Sequence, residues 1–142
     1  MLDLIIRNGK CYIDGELKEV DVSIKDKKIH QIGQISEEAK ETIDASGHTV
    51  LPGCIDTQTH FREPGSTDTE DLYSGSRAAI AGGITSVFEM PNTNPPTSNK
   101  KEFQRKLDLA KNRMYCNYAF YFGATAENAD DLASLKDLEG CC

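Results

Sequence analysis

Hydrophobic and polar residues alternate through the first fifty residues of the chain, as they do in half-buried β-strands. From residue 20 to 25, valine and isoleucine alternate with polar side chains, and this period of two predicts a strand. The charged segment 26–28 predicts a turn, the isoleucines of 29–35 predict a return strand, and the apolar residues 4–6 predict an earlier strand. The Asn-Gly pair at 8–9 predicts the turn that ends this earlier strand. We therefore expect the leading segment to form a small antiparallel sheet.

The pattern changes after residue 51, where apolar strands alternate with amphipathic helices. The strands are expected at about 52–59, 84–88 and 116–122, and the helices at about 70–82, 103–114 and 132–138. Residues 67–70 predict a capping box for the first helix, and the Gly-Gly pair at 82–83 predicts its end. Three successive strand–helix units predict a parallel sheet whose chemistry lies in the loops after the strands. The apolar run 50–55 predicts that the first of these strands is buried.

Chain length narrows this picture to an α/β fold in two parts. The pattern divides the chain into a small β unit, residues 1–51, and three βα units, residues 52–142, and three such units are too few if they open a (β/α)8 barrel. A complete barrel of this kind takes roughly 200–250 residues. The residues from 52 onward suffice for three such units and not for eight. We therefore expect the chain to be a fragment that carries a partial barrel.

Composition excludes several classes of partner and location. The formal net charge of −7 argues against binding to nucleic acid or to an anionic membrane, because both attract basic surfaces. The first residues become charged too early for a signal peptide, and no apolar run reaches membrane-spanning length. The chain is therefore expected to be cytoplasmic. Five cysteines without a Cys-x-x-Cys spacing argue against a disulfide framework, and we expect Cys54 and Cys116 to be small core residues.

The segment DTQTHFREPG at residues 56–65 carries the clearest chemistry. On an extended strand Asp56, Gln58 and His60 would point the same way, which predicts half of a metal site. Arg62 lies just beyond, where a guanidinium can hold an anion through a forked, charge-assisted contact. Gln58 stands where a strong ligand is expected, and a neutral amide oxygen is a poor ligand for zinc.

Three segments together resemble dihydroorotase, a family within the amidohydrolase superfamily of metal-dependent hydrolases. The segments are DTQTHFREPG at 56–65, EDLYSGSRAA at 70–79 with AGGIT at 81–85, and MPNTNPPT at 90–97. In the first segment the family pattern is Asp-x-His-x-His-x-Arg-Glu-Pro-Gly, and this chain departs from it at Gln58. The resemblance covers essentially the whole chain. It implies that residues 52–142 form the first three βα units of an amidohydrolase (β/α)8 TIM barrel and that residues 1–51 form a small β-sandwich-like domain before it.

The resemblance also implies an activity and roles for individual residues. Dihydroorotases use two zinc ions to activate a hydroxide that opens the ring of dihydroorotate, and the reverse step closes N-carbamoyl aspartate in pyrimidine biosynthesis. His60 matches a metal ligand of the family and also lies in its substrate site. Arg62 and Asn92 match the residues that hold the substrate carboxylate. The other ligands and the catalytic acid of the family fall beyond residue 142, so no catalytic residue is assigned in this chain and we expect it alone to be inactive.

Gln58 leaves three interpretations of the metal site open. The enzyme works with one metal ion or a rearranged site, or later ligands dominate binding and tolerate Gln58. Alternatively, the protein is a catalytically degenerate dihydroorotase homologue that acts as a scaffold, with a transcarbamoylase or a second copy of itself as partner. Asp56 is interpreted as an orienting or structural acceptor. Glu63 is interpreted as a structural residue that caps a helix or pairs within its loop.

Overall fold

The computed structural model describes residues 1–135 and 138–141, and these divide into two compact units, Met1–Pro52 and Gly53–Cys142. The first unit is made of strands. They are β1 (Leu2–Arg7), β2 (Lys10–Ile13), β3 (Glu16–Glu19), β4 (Asp21–Lys25), β5 (Lys28–Gly33), β6 (Ala39–Asp44) and β7 (Thr49–Val50). A four-stranded sheet has the order β5-β4-β1-β6, and a three-stranded sheet has the order β3-β2-β7.

The first unit is not the purely antiparallel sheet that the alternating pattern predicts. β1 pairs antiparallel with β4, β4 with β5 and β2 with β3, as expected, but β1 with β6 and β2 with β7 are parallel pairs. The physical reason is that two segments, 2–13 and 39–50, each run from the first sheet into the second in the same direction and lie side by side. The turn predicted at 26–28 is confirmed, with left-handed φ values at Asp26 and Lys27. Leu2, Ile5 and Ile35 form the buried cluster of the four-stranded sheet.

The second unit is a three-stranded parallel sheet with helices, as the three strand–helix units predict. Its elements are β8 (Cys54–Thr59), α1 (Leu72–Ala81), β9 (Ile84–Glu89), α2 (Lys100–Ala110), β10 (Asn117–Phe120) and a 3-10 helix (Ala129–Leu135). The sheet order is β8-β9-β10, and both pairs are parallel. None of the helices in the described residues has the length and apolar character needed to cross a membrane.

Two helix predictions need correction. The predicted helix at 132–138 is a 3-10 helix that ends at Leu135, and residues 136 and 137 of the predicted span lie outside the described residues. Its leucines recur every three residues, which fits the three residues per turn of a 3-10 helix. The capping box of α1 lies at Asp71 and Ser74 and not at 67–70. Asp71 Oδ1 accepts from the Ser74 N–H at 2.7 Å, and Ser74 Oγ accepts from the Asp71 N–H at 3.1 Å.

The core of the second unit lies on one face of the sheet. Its buried residues are Phe61, Leu72, Val87, Phe103, Ala110, Cys116 and Phe120. β8 is not buried as predicted, because it pairs with β9 alone in the described part of the chain and forms an edge of the sheet. Ile55 is therefore 61% exposed, and Cys54 is exposed as well, whereas Cys116 is a core residue as expected.

Candidate functional site

The loops after β8 and β9 leave the sheet side by side. Thr59 and Glu89 are register partners at the carboxyl ends of the two strands, and the Met90 N–H donates to the Thr59 carbonyl at 2.9 Å. Farther out, the Asn94 N–H donates to the Pro64 carbonyl at 3.0 Å. Gly65, with φ 128°, lies so close to Asn94 that an added Cβ would be 3.3 Å from the Asn94 carbonyl oxygen. The two segments with the clearest sequence motifs therefore form one joined surface.

His60 and Asn92 meet on this surface. The His60 Nδ1 atom lies 2.9 Å from the Asn92 side-chain oxygen, and both residues come from the predicted set. An amide oxygen only accepts hydrogen bonds, so this contact places a proton on Nδ1 and leaves the lone pair of the neutral ring on Nε2. A hydrogen-bond partner on one ring nitrogen is the usual way in which a protein orients an imidazole so that its other nitrogen faces a ligand.

Arg62 and Glu63 are neighbours in sequence with opposite environments. The Glu63 carboxylate is buried and accepts three hydrogen bonds, two from the Arg113 guanidinium at 2.8 and 3.0 Å and one from the Leu72 N–H at 2.9 Å. Glu63 thereby anchors the loop to the first turn of α1, which confirms its structural interpretation. Arg62 is exposed, and within the described residues its guanidinium makes no hydrogen bond or ion pair. The loop therefore presents a cation that is available to an anionic ligand.

The strand segment before His60 departs from the predicted alternation. The register between β8 and β9 shifts between Asp56 and Thr59, so the regular pleat that would align residues 56, 58 and 60 is interrupted. The local cause is that Asp56 Oδ1 accepts from the Gln58 N–H at 2.9 Å, a side-chain bond that competes with the ladder. This confirms Asp56 as a structural acceptor. The Tyr121 hydroxyl, from just beyond β10, donates to the Thr57 carbonyl at 3.1 Å.

The donors at this surface do not by themselves form a metal site. In the described part of the chain, no group of three or more His, Cys, Asp or Glu side chains is close enough together to hold a metal ion. His60 offers one imidazole nitrogen, Gln58 offers only an amide, and Asp56 already accepts from the backbone. A metal ion therefore needs ligands in addition to those of the described residues.

Two buried charged residues beneath this surface were missed by sequence reasoning. Lys106 Nζ contacts Glu89 Oε2 and donates to the Met90 carbonyl at 3.2 Å, and neither Lys106 nor Glu89 is accessible to solvent. Burial raises the pKa of Glu89 to about 7 and lowers the pKa of Lys106. One signal could have found Lys106: it lies three residues after Phe103 and four before Ala110, on the apolar face of α2.

Comparison with known proteins gives a consistent set of relatives. The sequence profile of the amidohydrolase family matches residues 49–139. The allantoinase of Escherichia coli O1:K1 / APEC is 41% identical over 137 residues, which are 96% of this chain and 30% of that protein.

Solved structures agree with this family. The L-hydantoinase (dihydropyrimidinase) of Arthrobacter aurescens matches with a TM-score of 0.86 and 31% identity over 96% of this chain and 31% of that chain. The D-hydantoinase of a Bacillus sp. AR9 matches with a TM-score of 0.80 and 30% identity over 98% of this chain and 32% of that chain. The chain thus spans about a third of the length of these three relatives.

Proposed function

Because this chain belongs to the amidohydrolase family, we propose that it forms part of the active site of a hydrolase that acts on a cyclic amide. The observation that carries this proposal is the contact between His60 and Asn92 at the joined carboxyl ends of two parallel strands. This edge of the sheet is where folds of this class bind their substrates. Allantoinase and hydantoinase, the names of the relatives, support the same coarse activity.

For the substrate, we propose a ring that carries a carboxylate, with dihydroorotate and N-carbamoyl aspartate as the interconverted pair. Support comes from Arg62, an exposed guanidinium, and from Asn92, whose amide nitrogen has no partner among the described residues. A guanidinium and an amide N–H are both donors suited to the oxygens of a carboxylate. The relatives are named for allantoin and hydantoin, which are rings without a carboxylate. The substrate that the protein prefers therefore distinguishes a dihydroorotase from an allantoinase or a hydantoinase.

For a metal ion, the proposal assigns only one ligand from this chain. His60 would supply one imidazole ligand to zinc through Nε2, and Asn92 would hold the ring in the orientation that presents this nitrogen. The described residues do not bring three His, Cys, Asp or Glu ligands together, so no step of the reaction is assigned to a metal ion. A cytoplasmic location also stays a prediction.

The proposal is tested by substrate preference in the longest natural polypeptide that contains these residues. We expect ring opening of dihydroorotate to exceed that of allantoin and hydantoin. Arg62→Met should lower kcat/KM for dihydroorotate by about 100-fold, because a charge-assisted contact to the carboxylate is lost. Arg105→Met, at an exposed arginine on α2, is the matched control and should leave kcat/KM unchanged. A preference for allantoin that Arg62→Met does not alter would reject the carboxylate substrate.

A second candidate function rests on Gln58. A catalytically degenerate homologue would act by association, as a scaffold for a transcarbamoylase or for a second copy of itself. Zinc content and dihydroorotate turnover separate the two candidates in the natural protein and in Gln58→His. Turnover by the natural protein rejects the scaffold. Absence of zinc and turnover, both restored by Gln58→His, rejects the active enzyme and identifies the substitution as its cause.

A further inference from the structure

The buried pair of Glu89 and Lys106 lies directly beneath the candidate site. Glu89 is the last residue of β9, and Lys106 reaches it from the middle of α2. The same Lys106 nitrogen also donates to the Met90 carbonyl at 3.2 Å and lies 5.3 Å from the centre of the Phe120 ring. A single ammonium group therefore holds the last strand residue and the first loop residue together.

This pair is not explained by stability alone. Removing two charges from water is costly, and apolar residues of similar volume often serve a core as well or better. Glu89 Oε1 is buried and has no hydrogen-bond partner in the described residues, which adds to the cost of keeping the carboxyl there. What an apolar pair could not do is bind the Met90 carbonyl.

The Met90 carbonyl matters because Met90 starts the loop that carries Asn92. The Met90 N–H is already fixed to the carbonyl of Thr59, one residue before His60. With Lys106 on its carbonyl, Met90 is held on both sides of its backbone. The loop then needs only two further residues to bring the Asn92 amide to within 2.9 Å of His60 Nδ1.

We propose that Glu89 and Lys106 are positioning residues of the site: through the Met90 carbonyl they fix the start of the loop and thereby the contact of Asn92 with His60. Neither residue reaches the joined surface of the two loops itself. This inference rests on the proposed function, because only that function makes His60 and Asn92 residues of an active site.

The test uses NMR to determine the state of the His60 ring in the 142-residue chain, with no metal and no substrate added. The side-chain ¹⁵N signals of the two ring nitrogens are recorded, and their chemical shifts report which nitrogen carries the proton. Asn92→Ala defines the signals of the lost contact. For the double variant Glu89→Leu/Lys106→Met, we expect a melting temperature at or above that of the wild type, together with ¹⁵N signals that match those of Asn92→Ala.

Val87→Ala is the matched control, because Val87 is buried on the same strand but belongs to the apolar core. It should lower the melting temperature and leave the His60 signals as in the wild type. Wild-type signals in the folded double variant would overturn the proposal. So would a loss of the contact in Val87→Ala, since the contact would then depend on any weakening of the core.

A measurement on the wild-type chain tests the proposal even if the double variant does not fold. Protons on Lys106 Nζ should exchange slowly and give cross-peaks to Met90, and their absence overturns the proposal. None of these outcomes depends on turnover. A failure of the proposed function would appear in the substrate assay alone, with the His60 signals and their response to the variants unchanged.

Discussion

Two glutamates hold the two site loops to the body of the second unit, and they do so in opposite ways. Glu63 anchors the loop after β8, and both of its oxygens are hydrogen-bonded, to Arg113 and to the Leu72 N–H. The Arg113 side chain is 35% exposed, so water reaches one end of this pair. Glu89 anchors the loop after β9 through Lys106, with no water access to either side chain and with one oxygen unsatisfied among the described residues.

The difference teaches how the cost of a buried charge is met. At Glu63 three hydrogen-bond donors replace the water that the carboxylate lost on burial. At Glu89 a single ammonium faces the carboxyl, and burial dominates, which is why the pKa of Glu89 rises to about 7. The first anchor should therefore tolerate the loss of a partner far better than the second.

The largest expected effect is that of Lys106→Met. Removing one partner of a buried ion pair leaves the other uncompensated, so we expect the free energy of unfolding to fall by about 3–5 kcal/mol at neutral pH. Urea denaturation of the 142-residue chain measures this loss. Glu89→Leu/Lys106→Met is the control and should recover all of it, because no charge is then left in the core. If Lys106→Met were as stable as the wild type, burial of the Glu89 carboxyl without its partner would not be costly, which would contradict this explanation.

The pH dependence of stability distinguishes the anchors next. The pKa of Glu89 in the folded chain, about 7, lies above its ordinary value of 4.5, so the folded state holds the proton more tightly than the unfolded state. The contribution of Glu89 to stability is therefore fully present below pH 4.5 and is lost as the pH rises through 7, by about 3 kcal/mol. Relative to Glu89→Gln, which does not titrate, the wild type should lose stability across this window. A flat difference in unfolding free energy would contradict this, because it would show that folding leaves the pKa of Glu89 unchanged.

Replacement of Glu63 should have a smaller effect. Glu63→Ala removes three hydrogen bonds, but Arg113 is partly exposed and water can take over its donors, so we expect a loss of about 2–3 kcal/mol. Arg113→Lys keeps the charge and loses the forked contact, and it should cost about half as much. Denaturation under the conditions used for Lys106→Met makes the comparison direct. If Glu63→Ala were the more damaging of the two, solvent access would not be what separates the anchors.

The extent to which the sequence predicts this arrangement depends on the kind of contact involved. The parallel sheet and the ends of its strands can be predicted from hydrophobic periodicity, and that topology places His60 and Asn92 at one edge. The anchors cannot be predicted in this way, because Glu63 and Arg113 lie 50 residues apart and no local pattern pairs them. Lys106 leaves a trace, as a charge on the apolar face of α2, but its partner Glu89 is only visible once β9 and α2 are packed together.

The same limit applies to the cap of α1 and to the irregular part of β8. Residues 67–70 fit the capping pattern as well as Asp71 and Ser74 do, and the choice is made by Glu63, which binds the Leu72 N–H from outside the helix. In β8, Asp56 fits an alternating strand, but its short side chain bonds the Gln58 N–H and shifts the register. Local side-chain bonds and distant anchors thus override patterns that are correct on average.

Of the substitutions compared, a change at Tyr121 is expected to lower the free energy of unfolding least. Tyr121 is an uncharged anchor: its hydroxyl donates to the Thr57 carbonyl, and its ring meets Phe88 edge-to-face at 6.4 Å. Tyr121→Phe keeps the ring contact and removes only the hydrogen bond. Thr57 is exposed, so water can replace the hydroxyl, and we expect a loss of about 0.5 kcal/mol in the free energy of unfolding. A loss as large as that of Glu63→Ala would mean that the irregular segment of β8 depends on this one bond, and that neutral anchors near solvent are no weaker than the charged pair at Glu63.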